Sequence, residues 1–460
     1  MACSICGAEA DIVLLRRGPS GAAEESLCQD CAGEKGLRAR GGSIAIDFEA
    51  LLGRAVPASS GLSSCPDCGH DIDSLRRTGR IGCLRCIDVF RDEIRDRLSR
   101  RRPAAFPRDG VERKVGAGAL RLPSFLQGRL RIGRVWPGIP LSGPKNPHPA
   151  REQALSLLPK AGFGLRRLGE LRTEEWSRLV VAASPPPFWL ADSESLVGFK
   201  DGTSLVCLVD CDDHLSLRIS AADPELSRYE GELLAAQREI DSLIDPVRDQ
   251  EFGFVSRSFW DFGAGLTGEI LMHLPALEMG GALDQVLRAA LSEGWSLEGR
   301  SGSDHGSAGA LWLLKAGEEL EAPPEALAGT ALRLAAMEAS TLKELVARAG
   351  EELLDRGGRA YGLITKARSL SVGESLEALS DLRLAVLGGY VPGFSADRLG
   401  ELLLLGHSPG AGRQDASTPI ANTRLPGLEA RERANRLRSS LGLDEPFAMP
   451  GPFLKTQGGW

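Results

Sequence analysis

Apolar and polar residues alternate in two runs near the middle of the chain, Ser204-Leu-Val-Cys-Leu-Val-Asp210 and Leu215-Ser-Leu-Arg-Ile-Ser220. A period of two sends successive side chains to opposite faces of a strand, and the short polar gap between the runs predicts one antiparallel hairpin. The spacing lengthens to three and four residues over Glu225–Ile244, Leu283–Glu293 and Pro324–Ala347, which predicts helices. From Glu351 onward the helical period is almost unbroken, with amphipathic segments at Ala360–Arg368 and Glu374–Leu384. Pro and Gly interrupt the pattern from Arg102 to about Pro123 and again from Trp136 to Pro149, so a domain boundary is expected near residue 110. Upstream, Ile44–Gly53 reads as a strand or a short amphipathic helix, and Pro57–Ser64 as a loop. The fold class expected is α+β.

A chain of 460 residues with 42% hydrophobic content has material for two to four domains and a substantial core. No apolar run approaches the roughly 20 residues that span a bilayer. The start, Met1-Ala-Cys3, shows no basic-then-apolar leader, so a soluble protein of the reducing cytoplasm is expected. Net charge is −7, but Arg76–Arg134 carries 17 Lys/Arg against 6 Asp/Glu. Those arginines alternate with acids at helical spacing from Asp88 to Leu98, as on a solvated helix face, and the regular aromatic interleaving that base stacking uses is missing. The pattern argues against nucleic acid as the partner.

Eight of the ten cysteines form four Cys-x-x-Cys pairs, Cys3/Cys6, Cys28/Cys31, Cys65/Cys68 and Cys83/Cys86. Such a turn brings two thiolates to one side of a tight loop, and two turns complete a tetrahedron around Zn²⁺. Pairing in sequence order leaves 21 and 14 intervening residues, so two structural zinc ions are expected. A disulfide framework needs an oxidising compartment and a thioredoxin-type redox pair needs a βαβ setting, and neither is indicated. A module of about 100 residues with so small a core leans on its metal.

The stretch Cys65-Pro-Asp-Cys68-Gly, then Arg76-Arg-Thr-Gly-Arg-Ile-Gly-Cys83-Leu-Arg-Cys86 and a basic helix, resembles the McsA family, zinc-binding activators of the protein-arginine kinase McsB. Residues 125–440 are similar to McsB itself, and through it to the ATP:guanido phosphotransferases, or phosphagen kinases. The resemblance implies residues 1–102 as a double zinc-binding module and 103–124 as a linker. It further implies a guanido-kinase-like antiparallel sheet flanked by helices over 125–345, a helical dimerisation or regulatory domain over 346–445, and a tail over 446–460.

Within that resemblance Arg129-Leu-Arg131-Ile-Gly-Arg134 corresponds to the family's run of phosphate-binding arginines, with Arg218 and Arg300 as further ligands of the phosphates of Mg-ATP. Taken without it, the same run reads as a basic edge strand facing water. The segment Asp210-Cys-Asp-Asp-His-Leu215 is similar to Asn-Glu-Glu-Asp-His-Leu, whose glutamates hold the guanidinium and accept its proton. Here Asp212 and Asp213 are the candidate catalytic carboxylates, while Cys211 replaces the first glutamate and Ser216 the following arginine. The bland reading of the three aspartates is a solvated turn. Ser258 stands at the family's reactive cysteine, Thr267 at a phosphate-clamping arginine, and Leu313-Leu-Lys-Ala-Gly317 where Gln-Ile-Ser-Asn-Gln is expected. Of the family's second phosphoarginine pocket only Arg433-Ala434 match. The departures point to a zinc-bearing regulator of the Clp stress system with an impaired kinase domain, a pseudokinase. The alternatives are an active protein-arginine kinase with rearranged ligands and a zinc-dependent nucleic-acid-binding protein. A homodimer through the C-terminal helices, Clp-system protein partners and no membrane association complete the expectations.

Overall fold

The computed structural model describes residues 63–104, 122–141, 149–299, 307–318, 320–407 and 426–443, together with the backbone of four strands nearer the start of the chain. Cys3, Cys6, Cys28, Cys31, Arg300, most of the expected linker and the tail lie outside the described residues. The chain divides into two compact units, Met1–Gly61 and Leu62–Trp460. Within the larger unit, residues 63–104 bury their apolar side chains against Val135, Leu141, Val255, Phe259 and Phe262. In the first unit β1 (Ile12–Gly18) pairs with β2 (Gly21–Leu27), and β3 (Leu37–Arg40) with β4 (Ser43–Ile46), both antiparallel. The strand reading of Ile44–Gly53 therefore holds for its first residues.

The larger unit opens with helices Ile72–Thr78, Arg85–Val89 and Arg91–Ser99, followed by the short β5 (Arg102–Pro103). Asp71 caps the first helix by accepting the Ser74 amide at 2.6 Å, and Gly79, at φ 65°, ends it in the left-handed conformation that a Cβ disfavours. Next come β6 (Phe125–Arg134), β7 (Phe163–Arg167), β8 (Leu196–Lys200), β9 (Leu205–Val209) and β10 (Leu215–Ala221). A small hairpin of β11 (Arg248–Asp249) and β12 (Gly253–Phe254) precedes β13 (Leu266–His273), β14 (Trp295–Gly299), β15 (Leu311–Ala316) and β16 (Leu320–Glu321). Eight of these strands form one sheet in the order β14-β15-β13-β6-β10-β9-β8-β7, with every pair antiparallel.

The hairpin expected at 204–220 is β9–β10, with Leu215 opposite Val209. The edge-strand reading of Arg129–Arg134 is overturned, since β6 is hydrogen-bonded on both sides, to β10 and β13. Its alternation decides what each face sees. Leu130 and Ile132 enter the main core against the helices Leu226–Asp241 and Pro324–Arg348, while Arg129 and Arg131 point to the opposite face. On that face the helix Thr173–Ala183 covers β8 and β9 through Val197, Phe199, Val206 and Leu208. The C-terminal helices cover β13 and β15 through Leu271, Leu311 and Leu313. The strip between them is left to charged side chains.

Helices Gly350–Lys366, Val372–Leu387, Ala396–His407 and Pro426–Ser440 form the C-terminal layer. The second begins with a capping box, Ser371 and Glu374 each taking up the other's amide. Its Arg383, 2% exposed, ties the layer to the sheet by donating to Pro123 O at 2.6 Å and Ala396 O at 2.8 Å, with His273 Nδ1 2.7 Å from Nη1. Burial and the neighbouring guanidinium hold His273 well below the usual imidazole range, so it stays neutral and its Nδ1 accepts. No helix among the described residues is long and apolar enough to cross a membrane.

Candidate active site and metal centre

Strand register assembles the charged strip. In β6, Arg131 lies opposite Arg218 of β10 and Thr267 of β13, and Arg129 lies opposite Glu269. Directly paired residues share a face, so Arg129, Arg131, Arg218, Thr267 and Glu269 converge. Two arginines facing each other across a ladder would repel, and the turn between β9 and β10 resolves this with Asp212. Its Oδ2 is 3.2 Å from Arg131 Nη1 and also accepts from Arg218 Nη2. Arg131 further reaches Asp261 at 2.6 Å and Thr267 Oγ1 at 2.8 Å, and Arg129 reaches Glu269 at 2.6 Å. These groups line a cavity of about 1050 Å³ that extends past Trp260 and Lys315.

Burial pushes the Asp212 carboxyl up, and the guanidinium groups of Arg218 and Arg131 more than reverse it, so its pKa is lowered from the usual carboxylate value. Burial alone would lower Arg129, and Glu269 only partly opposes this. Arg129 Nη2 is buried without a hydrogen-bond partner among the described residues.

Other residues singled out in the sequence lie elsewhere. Arg134 sits on the opposite face of β6 from Arg129 and Arg131, 3.8 Å over the Phe254 ring, and donates to Ala264 O at 3.0 Å. Asp213 is fully buried beside the cavity, accepting from Ser256 Oγ at 3.0 Å and from the Arg257 amide at 2.7 Å. Burial pushes it up to about 6, against the pull of that amide. Ser258 bridges to Arg80 of the zinc segment, and Arg433 donates to Leu370 O at 2.7 Å. Asp261 lies 2.6 Å from Arg131, yet nothing in the local pattern Phe259-Trp-Asp-Phe262 marks it. Only the long-range contact between β6 and the 259–262 turn brings it there.

The second pair of cysteine turns forms a tetrahedral nest. The Sγ atoms of Cys65, Cys68, Cys83 and Cys86 all lie within 4.8 Å of one another. Individual separations are 3.7 Å for Cys65–Cys83, 3.4 Å for Cys68–Cys86 and 3.9 Å for Cys83–Cys86. A tetrahedron with Zn–S bonds of about 2.3 Å has sulfur–sulfur edges of about 3.8 Å, so the four ligands fit this ion. Burial pushes the Cys83 thiol up to about 11 and Cys86 higher still, so a bound cation is what would keep them thiolate.

The zinc segment and the cavity wall share one apolar cluster. Leu75, Ile81, Cys86, Phe90 and Ile94 pack with Val135, Val255 and Phe259. Arg91 is 2.8 Å from Asp249 and 3.1 Å from Glu251, and Arg95 also pairs with Glu251. The basic excess read as a solvated helix face is thus partly spent inside the chain. Arg101 donates to Trp260 O at 2.7 Å and lines the cavity.

Three family models match successive parts of this architecture. The McsA central zinc-finger domain matches residues 63–105, the C-terminal catalytic domain of ATP:guanido phosphotransferases matches 190–315, and the protein-arginine kinase McsB C-terminal domain matches 350–448. Successive parts of the chain are thus similar to an McsA zinc finger and to a protein-arginine kinase. A protein-arginine kinase of Exiguobacterium sp. is 30% identical over 226 residues, which cover 47% of this chain and 64% of that protein. One from Moorella thermoacetica is 26% identical over 299 residues, 61% of this chain and 84% of that protein. Among solved structures, a lombricine kinase is similar at 13% identity and a TM-score of 0.43, covering 57% of this chain and 80% of that one.

Proposed function

We propose that this chain is a zinc-bearing regulator of the protein-arginine-phosphorylation and Clp stress system, working in the cytoplasm, whose kinase-type domain is impaired in phosphoryl transfer. The observation that carries this reading is the neutralisation of the arginine row from within. Arg129 is paired to Glu269, Arg131 to Asp212 and Asp261, and Arg218 to Asp212. Phosphoryl transfer depends almost wholly on positioning and charge stabilisation, and loss of an arginine clamp costs on the order of 10³-fold. In this cavity a triphosphate would have to displace three carboxylates, and Asp212 would have to release two guanidinium groups before accepting a proton. Mg-ATP, if bound, would supply the phosphoryl group, with Arg129, Arg131 and Arg218 as its protein ligands.

Protein partners fit the C-terminal layer. Leu354 and Tyr361, 45% and 42% exposed, lie seven residues apart on one helix and offer an apolar stripe for a second copy of the chain or a Clp-system protein.

The alternative is an active kinase. It is favoured by the convergence of three arginines and an ionised carboxylate on one cavity large enough for a nucleotide. The two readings separate on incubation with labelled ATP and an arginine-rich protein acceptor. The regulatory reading expects no acid-labile label above background. Incorporation that disappears in Arg131→Ala would establish the kinase instead.

A further inference from the structure

The turn that carries Asp212 is held by a strap that begins in the zinc segment. Gly79, Arg80 and Ile81 follow the first zinc-segment helix, separated from the ligand Cys83 by Gly82, and run antiparallel to residues 257–259. The Ile81 amide donates to Arg257 O at 2.9 Å and the Phe259 amide to Gly79 O at 2.9 Å. Ile81 and Phe259 anchor this pairing in the apolar cluster around Cys65 and Cys86.

From the other side of the same residue, Arg257 grips the acidic turn at three points. Its amide donates to Asp213 Oδ1 at 2.7 Å, its Nη2 meets Asp210 Oδ1 at 2.7 Å, and its Nη1 reaches Cys211 O at 3.5 Å. Asp210 sits at φ 51°, in the left-handed region, and its amide donates to His214 O at 3.0 Å to close the turn. Asp212, which pairs with both Arg131 and Arg218, is fixed between the gripped neighbours, and Cys211 Sγ also lies 3.9 Å from Arg218 Nη2.

We propose that Arg257 is a positioning residue that couples docking of the zinc segment to the placement of Asp212 in the cavity. The coupling is a matter of geometry and is independent of whether phosphoryl transfer survives. It differs from simple stabilisation because a change in the zinc segment should loosen the 210–214 turn ahead of the sheet.

The chain contains its own reporters. Cys211 lies in the turn and is 3% exposed, while Cys207 lies within β9 and is fully buried. Alkylation by iodoacetamide, followed residue by residue with mass spectrometry on the zinc-loaded full-length protein, reads the turn and the sheet separately. Loss of charge-assisted hydrogen bonds of about 1.5–3 kcal/mol predicts that Arg257→Met raises Cys211 labelling by about tenfold or more. Cys207 should stay protected, and Arg257→Lys, which retains a charge for Asp210, should fall between.

Gly79→Ala acts from the zinc segment itself. A Cβ there would lie 2.4 Å from Trp260 Cδ1, at φ 65°, so the strap and the Trp260 indole can no longer keep their present positions. It too should raise Cys211 labelling with Cys207 still protected. Unchanged Cys211 labelling in both Arg257→Met and Gly79→Ala would overturn the proposal. So would Cys211 and Cys207 rising together, which would report unfolding of the sheet and not release of the turn.

Discussion

Gly133 and Asp213 occupy what would otherwise be the same space. A Cβ on Gly133 would lie 1.9 Å from Asp213 Oδ2, so β6 passes the acidic turn only because residue 133 has no side chain. Gly133→Ala forces Asp213 off Ser256 and Arg257, and overpacking of this kind costs about 1–3 kcal/mol. Urea denaturation should show that loss as a lower midpoint with an unchanged slope.

The metal centre predicts a stoichiometry. Replacing Cys83 and Cys86 together by serine removes half of the nest that includes Cys65 and Cys68. Elemental analysis should show one zinc ion fewer per chain than in the parent protein. Because metal binding here is folding energy, tryptic cleavage among the arginines of residues 76–101 should become faster at the same time.

Glu269 holds Arg129 at 2.6 Å, and Arg129 Nη2 has a free donor among the described residues. Glu269→Gln removes the competing charge from a cavity-lining arginine. Calorimetric titration with Mg-ATP should show tighter binding by about three- to tenfold, the equivalent of about 0.7–1.4 kcal/mol. No gain in affinity would mean that Arg129 does not face the phosphates.

Glu338 predicts a pH dependence. It is 7% exposed and accepts the amides of Ala276 and Leu277 at 2.7 and 2.9 Å. Burial pushes its carboxyl up to about 7, which those two amides only partly oppose. The folded state therefore binds the proton more tightly than the unfolded one, whose value is near 4.5. Stability from this group is complete below about pH 4.5 and is lost as pH rises through about 7. Measured against Glu338→Gln by urea unfolding, the wild type should lose about 3 kcal/mol across that window.

Periodicity carried much of the fold. A repeat of two gave the β9–β10 hairpin, and repeats of three to four gave the helices now seen at Leu226–Asp241, Leu283–Glu293 and Pro324–Arg348. The Cys-x-x-Cys spacing gave the metal nest, because two thiols three residues apart on a tight turn have few other geometries. These features are set by covalent proximity, and local sequence contains them.

What the sequence could not contain was which distant segments meet. The run Arg129–Arg134 reads equally as a phosphate-binding strand or a water-facing edge until β10 and β13 pair on either side of it. Asp261 and Arg257 have no local signature. Their places are fixed by long-range contacts, Asp261 to Arg131 and the Arg257 amide to Asp213, beside the Arg80–Ser258 bridge. By itself the sequence determined the elements, the zinc ligands of residues 65–86 and the stock of charged groups. Only the tertiary structure decided which carboxylate neutralises which arginine, because ion pairing depends on separations of a few ångströms between residues that lie 6 to 140 positions apart.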